Sequence, residues 1–160
     1  MIDFILDFSI ELSYHSPMKI SQKAEYAVRA VLDLTLHAPP NSGVRSLEVA
    51  RRTGVPEKFL EAILLDLRKG GFVSSKRGPD GGHWLARDPS RLTVGAILES
   101  IDGPLSVSSR SARRDTTSAD ICLQALWGRV AASVHAVVDA TSLEDLRRQA
   151  SPQGGVDFTI

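Results

Sequence analysis

At 160 residues and 42% hydrophobic content, the chain is sized for one globular domain plus an appended element, and it can bury an apolar core. Lysine plus arginine balances aspartate plus glutamate at 19 each, so overall charge gives no hint of nucleic acid, and no uninterrupted apolar run reaches the ~20 residues that span a bilayer. A single cysteine excludes an intrachain disulfide framework and suits the cytoplasm.

Residues 1–17 are apolar in character but carry Asp3, Asp7 and Glu11 where a secretory signal would carry lysine or arginine. The segment reads as a flexible extension or an upstream start codon; the alternative is a short amphipathic helix with Phe4 and Phe8 on a partner. Residues 18–104 read as the main domain. Over 21–38, Ala24, Ala27, Val31 and Leu34 form a helical stripe with Ser21 as N-cap and Pro39-Pro40 as the stop. After a loop at 41–43, Ser46 is placed to cap a second helix that ends in a tight turn at Thr53-Gly54.

The third helix, 56–69, has the clearest periodicity in the chain. Phe59, Leu60, Ile63, Leu64 and Leu67 share one face, and Glu57, Lys58, Glu61, Ala62, Asp66 and Arg68 lie on the other. Pro56 suits the first helical position, and Gly70-Gly71 provides a residue able to take positive φ at the stop. Residues 72–77 are then expected to pair with 83–86 across a Gly-Pro-Asp-Gly-Gly reversal, which puts Lys76 and Arg77 at a hairpin tip. Helix, turn, helix and hairpin make a winged helix-turn-helix: a mainly α fold with a small β wing. Its charge is locally biased. Residues 44–91 hold ten basic and six acidic side chains, enough to contribute to phosphate neutralisation, although an ordinary solvated surface would look similar.

Residues 93–101 form a helix that closes this domain, starting at a capping residue and ending before Asp102-Gly103-Pro104. Residues 105–119, rich in serine, threonine and arginine, are expected to be a mobile loop. In the remaining 120–150, Leu123, Trp127, Val130, Val134 and Val137 step by four, three, four and three, a heptad-like seam. Such a helix needs a partner surface, and a second copy of itself is the economical candidate, giving a homodimer. Thr141 and Glu144 have capping-box spacing for a short last helix bearing Leu143 and Leu146, and residues 151–160 are expected to be a disordered tail.

The stretch RGPDGGHWLARDPS, following FLEAILLDLRKGGFV, resembles the wing and recognition helix of the bacterial Rrf-two family of transcription regulators. MKISQKAEYAVRAVLDLTLHA resembles that family's first helix, and ALWGRVAASVHAVVDATSLEDL its dimerisation helix and the helix after it. The resemblance covers roughly residues 18–146. It implies a homodimer on a partly palindromic double-stranded DNA operator, most simply as a repressor, and no enzyme activity. By position it assigns recognition to Lys58, Phe59, Glu61 and Ala62, and a minor-groove contact to Arg77 in the wing with Lys76, Gly78 and Gly81. Arg68 and Lys69 are expected to touch phosphate or balance the helix dipole. Phe59, on the apolar face, reads as core ahead of contact, and His83 as a stacked hairpin residue.

Cluster-binding relatives hold iron and sulfur through three cysteines before the long helix. Here the loop has none, and lone Cys122 lies one position from the last family cysteine, so a conventional cluster is not expected. Two alternatives stay open. An atypical two-iron, two-sulfur cluster across a dimer would use Cys122 and Glu25, with His135 or another group completing it. Thiol sensing at Cys122 would need a lowered pKa. A regulator controlled by a partner enzyme, as in the cysteine-metabolism relative, is the competing functional class.

Overall fold

A computed structural model describes residues 20–105 and 117–150; the expectations for 1–17, for most of the 105–119 loop and for 151–160 lie outside the described residues. The first helix, α1 (Gln22–His37), forms where expected. Ser21 caps it by accepting the Ala24 amide, and Ala24, Ala27, Val31 and Leu34 are all buried. Its start is tied to the end of the last helix of the domain, since the Ser21 amide and hydroxyl both donate to the Asp102 carboxylate.

The helices α2 (Ser46–Thr53) and α3 (Glu57–Lys69) follow, separated by Gly54 at φ 72°. Two end assignments shift by one residue. Arg45 and not Ser46 holds the N-cap of α2, with no side-chain cap, because Val44 is pinned in a bridge with His83 and the helix starts immediately beyond it. Pro56, expected inside α3, is its N-cap at ψ 132°.

The apolar face of α3 also needs one correction. Leu60, Ile63, Leu64 and Leu67 are buried as expected, but Phe59 is 65% exposed. The buried four span an i, i+3, i+4, i+7 arc, and Phe59 falls about 100° before Leu60 around the helix. That leaves it on the flank shared with Asp66, which Lys23 of α1 reaches at 2.7 Å.

Strands β1 (Val73–Lys76) and β2 (Gly82–Leu85) pair antiparallel, with Val73 opposite Leu85, Ser75 opposite His83 and Lys76 opposite Gly82. A contact that sequence spacing does not suggest completes the wing. Val44 and His83 exchange both backbone hydrogen bonds, at 2.9 and 2.8 Å, so the residue before the α2 N-cap acts as a one-residue third strand. Gly82, at φ 148°, makes this approach possible, since a side chain there would run into the backbone of Gly43 and Val44.

A single 3-10 turn at Pro89–Arg91, capped by Asp88, leads to α4 (Val94–Asp102), which Thr93 caps as expected. The core is one cluster: α1 residues face Val49 and Ala50 of α2, the buried arc of α3, Phe72 and Val73, and Leu92 and Ile97. Leu143 of α6 (Leu143–Ala150) seals it from the C-terminal side.

The helix α5 (Ser118–Ala140) begins inside the segment expected to be loop. Thr117 and Asp120 form a reciprocal capping box, which fixes the start. Another box starts α6, but it joins Ser142 to Asp145 and not Thr141 to Glu144. Both pairs have the right spacing; a backbone bridge between Thr93 and Ser142 selects the second. Glu144 instead takes a bidentate bond from Arg147 and one from Arg148, which hold its carboxyl at about 2.

No residue of α5 is buried. By length and composition it could also cross a bilayer, with a window of mean hydropathy 1.4, whereas the sequence reading found no apolar run of that length. The two differ because Gln124, Arg129, Ser133 and His135 interrupt every run yet average out over a window. Its main packing partner is α4, where Gly95 lies under Val138 and Asp139.

Candidate nucleic-acid interface

The exposed side of the domain is built from three pieces that the core holds in fixed relation. α3 presents its unburied face, α2 crosses behind it, and the wing stands at the far end of α3. The relation of α1 to α2 is set by an ion pair that sequence reasoning did not single out. Asp33, 6% exposed, takes two hydrogen bonds of 2.8 Å from the Arg52 guanidinium, and His37 Nδ1 lies 3.2 Å from the same carboxylate. The i, i+4 spacing of Asp33 and His37 is visible in the sequence; the reach of Arg52 across 19 residues is not.

The wing is fastened to the helices at two places. The Arg45 guanidinium donates to the Pro79 carbonyl at 3.1 Å, and Arg68 of α3 donates to the Ser75 hydroxyl at 3.3 Å. Between these lies His83, cross-strand from Ser75. Its Nδ1 is buried and has no hydrogen-bond partner among the described residues. Burial lowers the His83 pKa below its usual value, the positive charge of Arg68 adds to that effect, and Glu61 opposes it. The imidazole is therefore a neutral packing element in the angle between α3 and the wing, cross-strand from Ser75.

The expected contact residues sort cleanly. Lys58, Glu61, Ala62, Lys76, Arg77 and Gly78 are all exposed, and Lys58, Lys76 and Arg77 have no acidic partner among the described residues. Gly81 is buried in the wing turn, where its amide donates to the Gly78 carbonyl at 3.0 Å, so it shapes the tip without offering surface. Arg68 is engaged with Ser75, and Lys69 lies 3.8 Å from Asp66. Phe59 joins the exposed group. Leu65, 42% exposed and one turn past Ala62 on the outer face, belongs there too although the sequence reading passed over it. The signal available was its phase, in line with Lys58, Ala62 and Lys69.

Along α5, Leu123 and Val137 are exposed and Trp127, Val130 and Val134 half-buried. Val130, Val134 and Val137 join Leu126 and Val138 in an open groove of about 540 Å³ edged by Arg129. Cys122, in the first turns of α5, is an exposed free thiol.

Of the other possible sensor residues, Glu25 and His135 are already engaged. Glu25 pairs with Arg29 at 2.6 Å, and both ring nitrogens of His135 are in contact, with the Leu105 carbonyl at 3.0 Å and Asp139 at 3.3 Å. The Leu105 carbonyl, then Asp139, raise the His135 pKa. No group of three histidine, cysteine or acidic side chains stands close enough to hold a metal among the described residues.

A helix-turn-helix with a two-stranded wing, cations on the recognition side and a long flanking helix defines a winged-helix transcription regulator. Comparison with known proteins is specific. Residues 20–149 match the Rrf2 family, described as iron-dependent transcriptional regulators, and the chain belongs to that family, whose members are regulators and not enzymes. The chain is 33% identical over 130 residues to the HTH-type transcriptional regulator IscR of Xenorhabdus nematophila, covering 81% of this chain and 79% of that protein. Among solved structures it is similar to the global cysteine regulator CymR of B. subtilis, at 30% identity and TM-score 0.72, over 84% of this chain and 99% of that one. IscR of T. potens is 33% identical with TM-score 0.69, over 84% and 89% of the two chains.

Proposed function

We propose that this regulator is a homodimer that binds a sequence-specific, partly palindromic double-stranded DNA operator in the cytoplasm and represses by occupying it. The observation that carries the reading is that α3 and the wing, joined through Arg68 and Ser75 with His83 packed near Glu61 and Arg68, leave Lys58, Lys76 and Arg77 exposed and, among the described residues, without an acidic partner. In a major groove, the first turns of α3 bring Lys58, Glu61 and Ala62 to base edges, where Glu61 would accept from a cytosine amino group. Arg77 at the wing tip then reaches the adjacent backbone or minor groove. The unburied α5 supports a dimer, since its seam from Leu123 to Val137 is left without a cover in one chain. Two copies zipped along α5 would present two recognition helices to one face of a duplex, with half-sites about one turn apart.

The family description mentions iron, and the donor set here does not fit a cluster. The chain has one cysteine, Glu25 is paired with Arg29, and His135 is held by Leu105 and Asp139. We therefore assign no iron-sulfur cofactor to this chain. A second reading, control through oxidation of Cys122, is favoured by the exposure of that thiol.

The test is selection of operators from random duplexes followed by a gel-shift titration. Arg77→Ala is expected to weaken binding roughly tenfold and to reduce its salt dependence. Unchanged affinity removes the wing from the mechanism, and failure to select any sequence removes DNA binding.

A further inference from the structure

The outer face of α3 is unusual for a surface meant to meet a polar groove. Phe59 is 65% exposed and Leu65 42%, with Ala62 between them at three-residue steps on the same exposed side. Residues three apart on a helix are neighbours, with Cβ atoms about 5–6 Å apart. The three side chains therefore form an apolar strip along the helix, and none is part of the domain core. The strip is flanked at one end by Lys58, a cation that suits a polyanion, and at the other by Lys69, 3.8 Å from Asp66.

Resting on the DNA-binding reading above, we propose that Phe59, Ala62 and Leu65 read thymine through its 5-methyl group, making methyl-rich A·T steps the specificity element of each half-site. The chemistry follows from the groove. Each base pair offers hydrogen-bonding atoms in the major groove, but thymine alone among the unmodified bases offers a methyl there. Side chains without polar atoms cannot match donors or acceptors, so contact with guanine or cytosine edges would strip water from them without replacement. Contact with thymine methyls removes apolar surface from water on both partners. Glu61, one residue before Ala62 and on the wing-side flank with Arg68, keeps a separate polar role.

The experiment uses the full chain and selected operator duplexes prepared with thymine or with uracil in its place. That exchange deletes only the methyl groups and leaves every hydrogen-bonding edge intact. The wild type is expected to bind the thymine duplex about fourfold more tightly per buried methyl, and about tenfold or more over two half-sites. Phe59→Ala and Leu65→Ala, both at exposed positions, are each expected to shrink that thymine-to-uracil ratio while the melting temperature stays unchanged. Equal binding of both duplexes by the wild type overturns the proposal and leaves DNA recognition standing, as it would if the strip docked a protein. A ratio that both variants retain also overturns it, by assigning the discrimination to duplex shape. Binding to neither duplex overturns the DNA-binding reading itself.

Discussion

The region from α1 to α4 and the helix α5 are both rich in valine, leucine and alanine, and they treat those residues in opposite ways. In the first, the apolar arcs of three helices meet one another and the base of the wing, and Leu34, Leu60, Ile63, Leu64 and Leu67 are excluded from water. In the second, 23 residues of comparable character include none that is fully buried, and Trp127, Val130 and Val134 are only half-buried. Burial is therefore set by whether a facing element exists in the same chain. The winged-helix region finds its partners in its own elements and in Leu143 of α6; α5 has α4 along one side and, among the described residues, no facing element along the rest.

That contrast can be broken at its strongest point first. Leu64→Ala leaves a hole between α3 and α1 and is expected to cost about 2–5 kcal/mol of unfolding free energy, read by denaturant titration. On the other side of the comparison, Val130→Asp with Val134→Asp places two carboxylates in the α5 groove. These changes should leave the melting of the winged-helix region nearly intact, give a monomer by sedimentation, and weaken operator binding by roughly 100-fold through lost avidity. A double variant that unfolds outright would make α5 part of the core after all.

Asp33→Ala sharpens the same line within the folded region. It removes the carboxylate that joins α1 to α2 and should destabilise by about 1–3 kcal/mol, at the low end because Arg52 is partly exposed and regains water. The smallest expected effect concerns His83. Its pKa lies below the usual histidine value in the folded state, so the unfolded chain takes up the proton first as pH falls. Stability is then full above pH ~6.5 and declines as pH falls below it. His83→Phe should flatten that slope in melting curves, and an unchanged slope would locate it elsewhere.

Much of this architecture could be read before any coordinates, for identifiable reasons. Local rules were sufficient where the signal was local: the Ser21 and Thr93 caps, the hairpin, and the arc from Leu60 to Leu67. They failed where a distant segment decided between two local options. Thr141 with Glu144 and Ser142 with Asp145 are equally good boxes until Thr93 pairs with Ser142. Ser46 and Arg45 are rival starts of α2 until Val44 pairs with His83. Phe59 sits at the edge of the apolar arc, and only the placement of α1, with Lys23 on Asp66, decides that its flank stays open. For the candidate interface, charge and position identified Lys58 and Arg77, while Leu65 was hidden because an apolar residue in a helix is ordinarily assigned to the interior.

The exchange of hydrogen bonds between Val44 and His83, with Arg45 reaching Pro79, couples the lead-in of α2 to the wing. Helix and hairpin therefore travel as one lever, and a signal gains little by tilting either alone. In the proposed homodimer the spacing of two such levers would be set through α5, which packs on α4 so closely at Gly95 that a side chain there would run into Asp139.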